Sequence, residues 1–300
     1  MKPQTRHTLF CWSTVAPSLL IILVFSYFSI SYVGFISFFK WDMLSPRKFF
    51  GIENYLRAFG NAEFWNAIRV TVVYSLVGVP TCMVIGLLMG LLLQGEVPGK
   101  TAFRVAFFLP VVIAMTVAAL VFRWMFNDEV GLINYLLVDV FRAFPSVDST
   151  HWLRWLRDPK GGALVAVLTV GIWKQVGYNA ILFLSGLENI PREYYEAARI
   201  DGAAPVQRFF RITLPLLTPT TFFVLVLQVI SALKVTVSPM VMTGGGPMYS
   251  TESIILYIYR EAFRNFKMGY ASAVSLVVFV LLLLITLFQF KVGEKRVHYQ

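Results

Sequence analysis

The chain is organised by long uncharged apolar blocks rather than by the short-period alternation of a soluble core. Val15 to Phe39, Val70 to Leu93, Val105 to Phe122, Ile212 to Leu233 and Met268 to Phe290 contain no Asp, Glu, Lys or Arg, and Gly161 to Leu187 is interrupted only by Lys174. Each block is about as long as the roughly 20 residues a helix needs to cross a bilayer's hydrocarbon core. Backbone polar groups at that depth must be satisfied within the segment, which makes the blocks helices. The pattern predicts an all-α membrane protein with six transmembrane helices at about 15–39, 68–93, 103–126, 163–187, 212–240 and 268–290. A loop at 188–211 joins the fourth and fifth spans. No low-complexity linker or internal repeat divides residues 1–300, so a single membrane domain is expected.

Composition agrees: 57% of the 300 residues are hydrophobic and 14% charged, against about a quarter charged in soluble domains. The first block is longer than a signal-peptide core and no small-residue cleavage site follows it, so it is expected to be a span. Cys11 and Cys82 lie beside or inside apolar blocks and do not suggest a disulfide framework. The net charge of +10 is assigned to basic residues flanking spans and meeting lipid, not to nucleic acid. Six spans place both termini on one side. The segments on that side and those on the other each hold eleven Lys or Arg, so the charges do not choose the orientation. Trp41, Trp65, Trp124, Trp152 and Trp155 fall at or beyond the same ends of the spans, as interfacial aromatics do. His151 to Arg157 reads as a short amphipathic surface helix.

The 188–211 loop carries the most specific pattern. Pro191 suits a first helical position, Glu193 lies where the helix dipole favours an anion, and Gly202 suits the left-handed position that ends a helix. Ala197 and Ala198 leave a thin place for another protein, and a second short helix can begin at Pro205. Glu196-Ala197-Ala198, Gly202, Ile212 and Leu214-Pro215 resemble, at every spacing, the signature of importer permeases of the ATP-binding-cassette superfamily. That resemblance implies a type I importer permease fold: five core helices with a first span that wraps a partner. It also implies that the loop is a cytoplasmic coupling helix seated in a groove of an ATPase subunit, with Asp201 as part of it. Both termini would then be cytoplasmic, in a bacterial inner membrane. The implied partners are a second permease, two ATPase subunits that bind ATP and Mg, and an external solute-binding protein. Asp201-Gly202-Ala203, Thr243-Gly244-Gly245-Gly246-Pro247 and Tyr257 to Phe263 resemble the carbohydrate branch. Gly51 to Tyr55 and Asn127 to Asn134 resemble outer loops of the maltose and glycerol-phosphate permeases. After Lys234 many relatives carry an aromatic-Asp pair, where this chain has Val235-Thr236-Val237.

Enzyme chemistry finds no support. Gly95 to Thr101 has three residues, not four, between its glycines and joins two spans, so it is a turn and not a phosphate loop. His7, His151 and His298 show no metal-ligand spacing. No cofactor is therefore expected in this chain. Lys174 and Lys234 are charges inside apolar blocks, where a lysine costs roughly 2.5–3.5 kcal/mol and must face protein or water. Trp173, Gln175, Tyr178 and Asn179 accompany the first, and Gln228 and Ser231 share a face with the second. Two readings stand: a solute pathway on the fourth and fifth spans, with Trp173 or Tyr178 stacking on a sugar, or packing between helices and lysines reaching an interface. Gly78, Gly86 and Gly90 are expected to permit close helix packing.

Overall fold

The computed structural model describes residues 3–95, 99–141 and 153–293, the side chains of 3–10 excepted. Part of the Gly95–Thr101 turn, His151 and Trp152 therefore lie outside the described residues, as does His298. In chain order, α1 (Pro3–Ile22) continues through a π-helical turn into α2 (Phe28–Ile36), followed by β1 (Phe39–Lys40), β2 (Lys48–Phe49) and α3 (Glu53–Phe59). Then come α4 (Ala62–Gln94), α5 (Lys100–Val112), α6 (Met115–Met125), α7 (Leu132–Asn134), α8 (Gly162–Glu188) and α9 (Arg192–Ile200). The rest are α10 (Pro205–Arg208), α11 (Leu214–Leu216), α12 (Thr218–Leu233), α13 (Val237–Met242), α14 (Ile254–Tyr259) and α15 (Met268–Gly293).

Among the described residues, five helical stretches are long and apolar enough to cross a membrane: Cys11–Ile36, Ala62–Gln94, Gly162–Glu188, Thr218–Met242 and Met268–Gly293. The third expected span, 103–126, is not one straight helix. It is the pair α5 and α6, bent by 97° at Ile113 and Ala114, and it makes a sixth span when the pair is taken as one. Ile113 and Ala114 are extended, with ψ of 132° and 135°. Pro110 in the last turn of α5 weakens the helix there, since it lacks an N–H and its ring crowds the preceding turn. The expected span 212–240 is interrupted too, between α12 and α13 at Lys234 to Thr236, and other differences lie at the ends. The first helix stops at Ile36, where the chain turns into a hairpin, and α4 begins at Ala62 with Glu63 in its first turn. The expected surface helix at His151 to Arg157 is a single 3-10 turn at Trp155–Arg157 among its described residues. Its residues are tied instead to α7 and to the loop before it. The Trp155 indole donates to Asn134 Oδ1 (2.9 Å), Asn134 donates to the Leu153 carbonyl (3.0 Å), and Arg157 pairs with Asp128 (3.0 Å).

The sequence reads as one membrane domain, while the backbone groups into two compact units: Met1–Asn61 with Ile258–Val280, and Ala62–Tyr257 with Leu281–Gln300. In the first, Asn54 is buried and its amide donates to the carbonyls of Ser37 (2.8 Å) and Phe39 (2.9 Å), pinning α3 under the hairpin. The Gly269 N–H donates to the Trp41 carbonyl (3.1 Å), joining α15 to the same place.

In the second unit α8 is the central helix, more deeply buried than any other candidate span among the described residues. α4 lies along it. A β-carbon on Gly86 would stand 2.6 Å from that of Asn179, and one on Gly90 would stand 3.2 Å from the Ala180 carbonyl. The two backbones approach because these positions have no side chain, the usual device where lipid gives no hydrophobic drive for helices to associate. α5 crosses α8 at Gly177, against the Phe107 carbonyl. Gly86→Val should lower the thermal midpoint of the purified protein in detergent, since overpacking such a contact costs about 1–3 kcal/mol. Gly34→Ala, in a helix where an added β-carbon meets no neighbouring element within 4 Å, should not lower it, since alanine is the better helix former. Equal midpoints for wild type and Gly86→Val would contradict this packing.

Candidate functional site

The chain leaves α8 through Asn189 to Pro191 and enters α9, the helix of the 188–211 loop. Pro191 stands just before the first helical residue, Arg192, rather than in it, and Glu193 lies in the first turn. The end is a Schellman arrangement. The Ala203 N–H donates to the Ala198 carbonyl (2.9 Å) and the Gly202 N–H to the Arg199 carbonyl (3.1 Å), with Gly202 at φ 75°. No residue of α9 is buried. Glu196, Ala197, Asp201 and Gly202 are exposed and Ala198 half-buried, and Ile200 is 87% exposed. Tyr194 on the same helix is also exposed, so the helix turns most of its surface away from the rest of the chain.

One residue anchors this helix. Tyr195 packs beside the buried cluster of Phe183, Leu187, Ile190, Leu217 and Val224, and its hydroxyl hydrogen-bonds Thr213 (3.0 Å). That bond joins α9 to the segment holding Ile212, Leu214 and Pro215, which are half-buried and lead into α12. At the other end Glu188 pairs with Arg104 (2.8 Å) and Lys100 (3.9 Å), fixing the end of α8 to the start of α5. Sequence reasoning missed Tyr195 and Thr213. An aromatic inside a polar, amphipathic loop was the available signal.

Deeper in the same unit, α8 and α12 face each other through two polar rungs. The Gln175 amide donates to Ser231 Oγ (2.9 Å), and one helical turn along, the Gln228 amide donates to Asn179 Oδ1 (2.7 Å) in a buried setting. A cleft of about 220 Å³ opens beside them, lined by Lys174, Gln175, Gln228, Ser231 and Lys234. Tyr74, Thr236 and Ser238 also line it and were not foreseen. Asn179 sits behind Gln228 and is fully buried. Trp173 and Tyr178 do not line the cleft; Trp173 packs on Phe122 with ring centres 5.2 Å apart.

The lysines take different roles. The Lys174 ammonium donates to the carbonyls of Pro110 (3.2 Å) and Val111 (3.3 Å) and to that of Ile113. These carbonyls are the ones left open where α5 stops, so the cation caps the bend in the third span. Lys234 follows the last residue of α12 and is exposed, at a break in the apolar segment rather than in mid-helix. No group of three or more His, Cys, Asp or Glu placed to hold a metal occurs among the described residues.

Residues 82–298 match the family described as binding-protein-dependent transport system inner membrane component. The chain belongs to this family. The permease is 38% identical to the probable ABC transporter permease protein YurN of Bacillus subtilis, over 92% of this chain and 94% of that one. It is 33% identical to the sn-glycerol-3-phosphate transport system permease protein UgpA of Rhizobium meliloti, over 95% and 94%. Its fold superposes on a chain of a bacterial ABC transporter involved in the import of alginate, with a TM-score of 0.80, 22% identity and 97% coverage of both chains.

Within the permease, Lys174→Met would remove the donors from three carbonyls. An unsatisfied buried acceptor costs about 1–3 kcal/mol, and the sum exceeds the insertion cost that the lysine carries. The expected result is a lower thermal midpoint in detergent for Lys174→Met and a near-wild-type midpoint for Gln175→Ala. An unchanged Lys174→Met midpoint would show that the bend does not need its cap.

Proposed function

We propose that this permease moves a sugar or sugar-like solute inward, driven by ATP hydrolysis in separate subunits, and that the loop at 188–211 receives the stroke. The observation that carries the reading is α9: an exposed helix bearing Glu196, Ala197 and Ala198, stopped at Gly202 and anchored through Tyr195. The coupling residues are Glu196, Ala197, Ala198, Asp201 and Gly202 on the helix, with Ile212, Leu214 and Pro215 on the return path. Such a helix presents a face to a partner and hands its displacement to α8 on one side and α12 on the other.

Those two helices carry the polar rungs. On this reading Gln175, Gln228, Ser231 and Lys234 face the solute, and Asn179 orients Gln228. Lys174 holds the bend beside the cleft. Trp173 and Tyr178, expected as stacking groups, lie outside the cleft, and Trp173 packs on Phe122 instead. The partners are a second permease, two ATPase subunits holding ATP and Mg, an external solute-binding protein and the surrounding lipid. Nucleic acid is not among them. Both termini then lie in the cytoplasm. A carbohydrate-type solute is supported by relatives named for glycerol phosphate and for sulfoquinovosyl glycerol, and by a fold neighbour named for alginate. A second reading, an anionic solute such as glycerol phosphate, is favoured by Lys234, which lines the cleft without an ion-pair partner among the described residues. An amino sugar or polyol would suit the neutral groups.

The loop is the place to test. Gly202→Val forces a branched side chain into left-handed backbone, at about 1–2 kcal/mol or more, and should fray the end of α9 while the spans stay folded. Glu196→Lys inverts a charge on its exposed face. Both variants should reach the membrane and assemble with the second permease, yet lose uptake of radiolabelled solute and hold the ATPase loosely on co-purification. Wild-type uptake and normal ATPase retention in both would end the coupling assignment.

A further inference from the structure

The unit formed by Met1–Asn61 and Ile258–Val280 contains a cleft that the transport reading does not use. It measures about 610 Å³ and is lined by Lys40, Lys48, Arg57 and Lys267, by the aromatics Trp41, Phe266 and Tyr270, and by two carboxylates, Asp42 and Glu261. Both carboxylates are already engaged. Asp42 Oδ1 accepts from the Ser45 N–H (2.7 Å), the Ser45 hydroxyl (2.7 Å) and the Leu44 N–H (3.1 Å). These bonds hold its pKa down to about 2. Glu261 is buried and accepts from Asn265 (2.6 Å) and Lys267 (3.1 Å). Arg57 pairs with Glu53 (3.3 Å).

Lys40 and Lys48 are left over. They stand directly opposite each other in the two-stranded hairpin, where β1 and β2 pair Phe39 with Phe49 and Lys40 with Lys48. The phenylalanines meet edge to face on one side of the ribbon, which puts both ammonium groups on the other side. Like charges directly opposite on a ladder destabilise it, and neither lysine has an ion-pair partner among the described residues. An anion between them removes the penalty. Position says which kind. The apolar stretch Cys11–Ile36 ends just before the hairpin, and Met268–Gly293 starts at the residue after Lys267. The cleft therefore opens where two membrane spans meet the headgroup layer, and Trp41 and Tyr270 are the aromatic types that settle at that depth.

We infer that the Lys40–Lys48 hairpin and its cleft hold the phosphate of an anionic phospholipid headgroup. The lipid is a structural ligand of this unit, whatever solute the permease carries. Basic pockets beside membrane helices select such headgroups by charge, at a strength of order tenfold per pair of lysines or more.

The test uses the full-length permease purified in detergent, washed into a neutral lipid and titrated with phosphatidylglycerol, with bound lipid counted by native mass spectrometry. The wild type should retain phosphatidylglycerol about ten- to thirtyfold better than Lys40→Gln/Lys48→Gln. Lys40→Arg/Lys48→Arg should retain it like the wild type, which separates loss of charge from loss of fold. A second arm adds inorganic phosphate and no lipid and reads the thermal midpoint. Stabilisation by phosphate equal to that by phosphatidylglycerol would assign the site to the free ion and overturn the lipid. Equal lipid retention in the wild type and the glutamine variant would overturn it too. So would weaker binding of the solute-binding protein by that variant with lipid retention intact, because the lysines would then serve a protein contact.

Discussion

The close approach of two helix backbones at α8 underlies the rest of its unit. In a bilayer, apolar side chains gain nothing by leaving lipid for one another, so helices associate through dispersion contacts and hydrogen bonds between surfaces that fit. Gly86 and Gly90 on α4 remove the side chains that would hold α8 away, and Gly177 lets α5 cross with the Phe107 carbonyl against the backbone. With α8 held on those sides, its polar edge faces α12, and Gln175 and Asn179 meet Ser231 and Gln228 at hydrogen-bond distance. Each such bond in a membrane contributes about 0.6–2 kcal/mol. That is enough to fix the register of two helices and little enough to be exchanged for a hydroxylated solute.

The bend in the third span follows from the same arrangement. Breaking a helix inside a membrane exposes carbonyls that nothing in lipid can satisfy, and an apolar lysine neighbourhood is equally unfavourable. Each problem answers the other. The Lys174 ammonium lies against the Pro110, Val111 and Ile113 carbonyls, so the charge of α8 is spent on the fold of α5 and α6. Tyr195 does the comparable work at the surface, where its bond to Thr213 ties α9 to the segment leading into α12.

Much of this was written in the sequence, for physical reasons that differ from place to place. Uninterrupted apolar length determines a span almost by itself, and the signature at Glu196 to Pro215 identified the family before any geometry. The left-handed stop at Gly202 followed from its place after a short helix. The 97° bend was hidden because Pro110 sits in a uniformly apolar run, where proline is tolerated with or without a break. Its place inside an apolar block kept Lys174 away from lipid, facing protein or water, but could not show that its acceptors are backbone carbonyls from 60 or more residues earlier in the chain. The polar residues of the fourth and fifth spans do converge, yet Trp173 and Tyr178 do not line the cleft, because sharing a stretch of helix is not sharing a face. The 151–157 segment has the alternation of an amphipathic helix, but its indole and arginine find tertiary partners at Asn134 and Asp128 that outweigh it.

On the proposed function, a stroke delivered at α9 from outside this chain drives solute through the helices it joins. Proteoliposomes decide it most directly: ATP hydrolysis and solute flux measured for the purified permease alone, and again with the second permease, the ATPase and loaded binding protein added. Neither activity is expected from the permease alone, and both from the assembled set. Robust solute flux from the single polypeptide would contradict it.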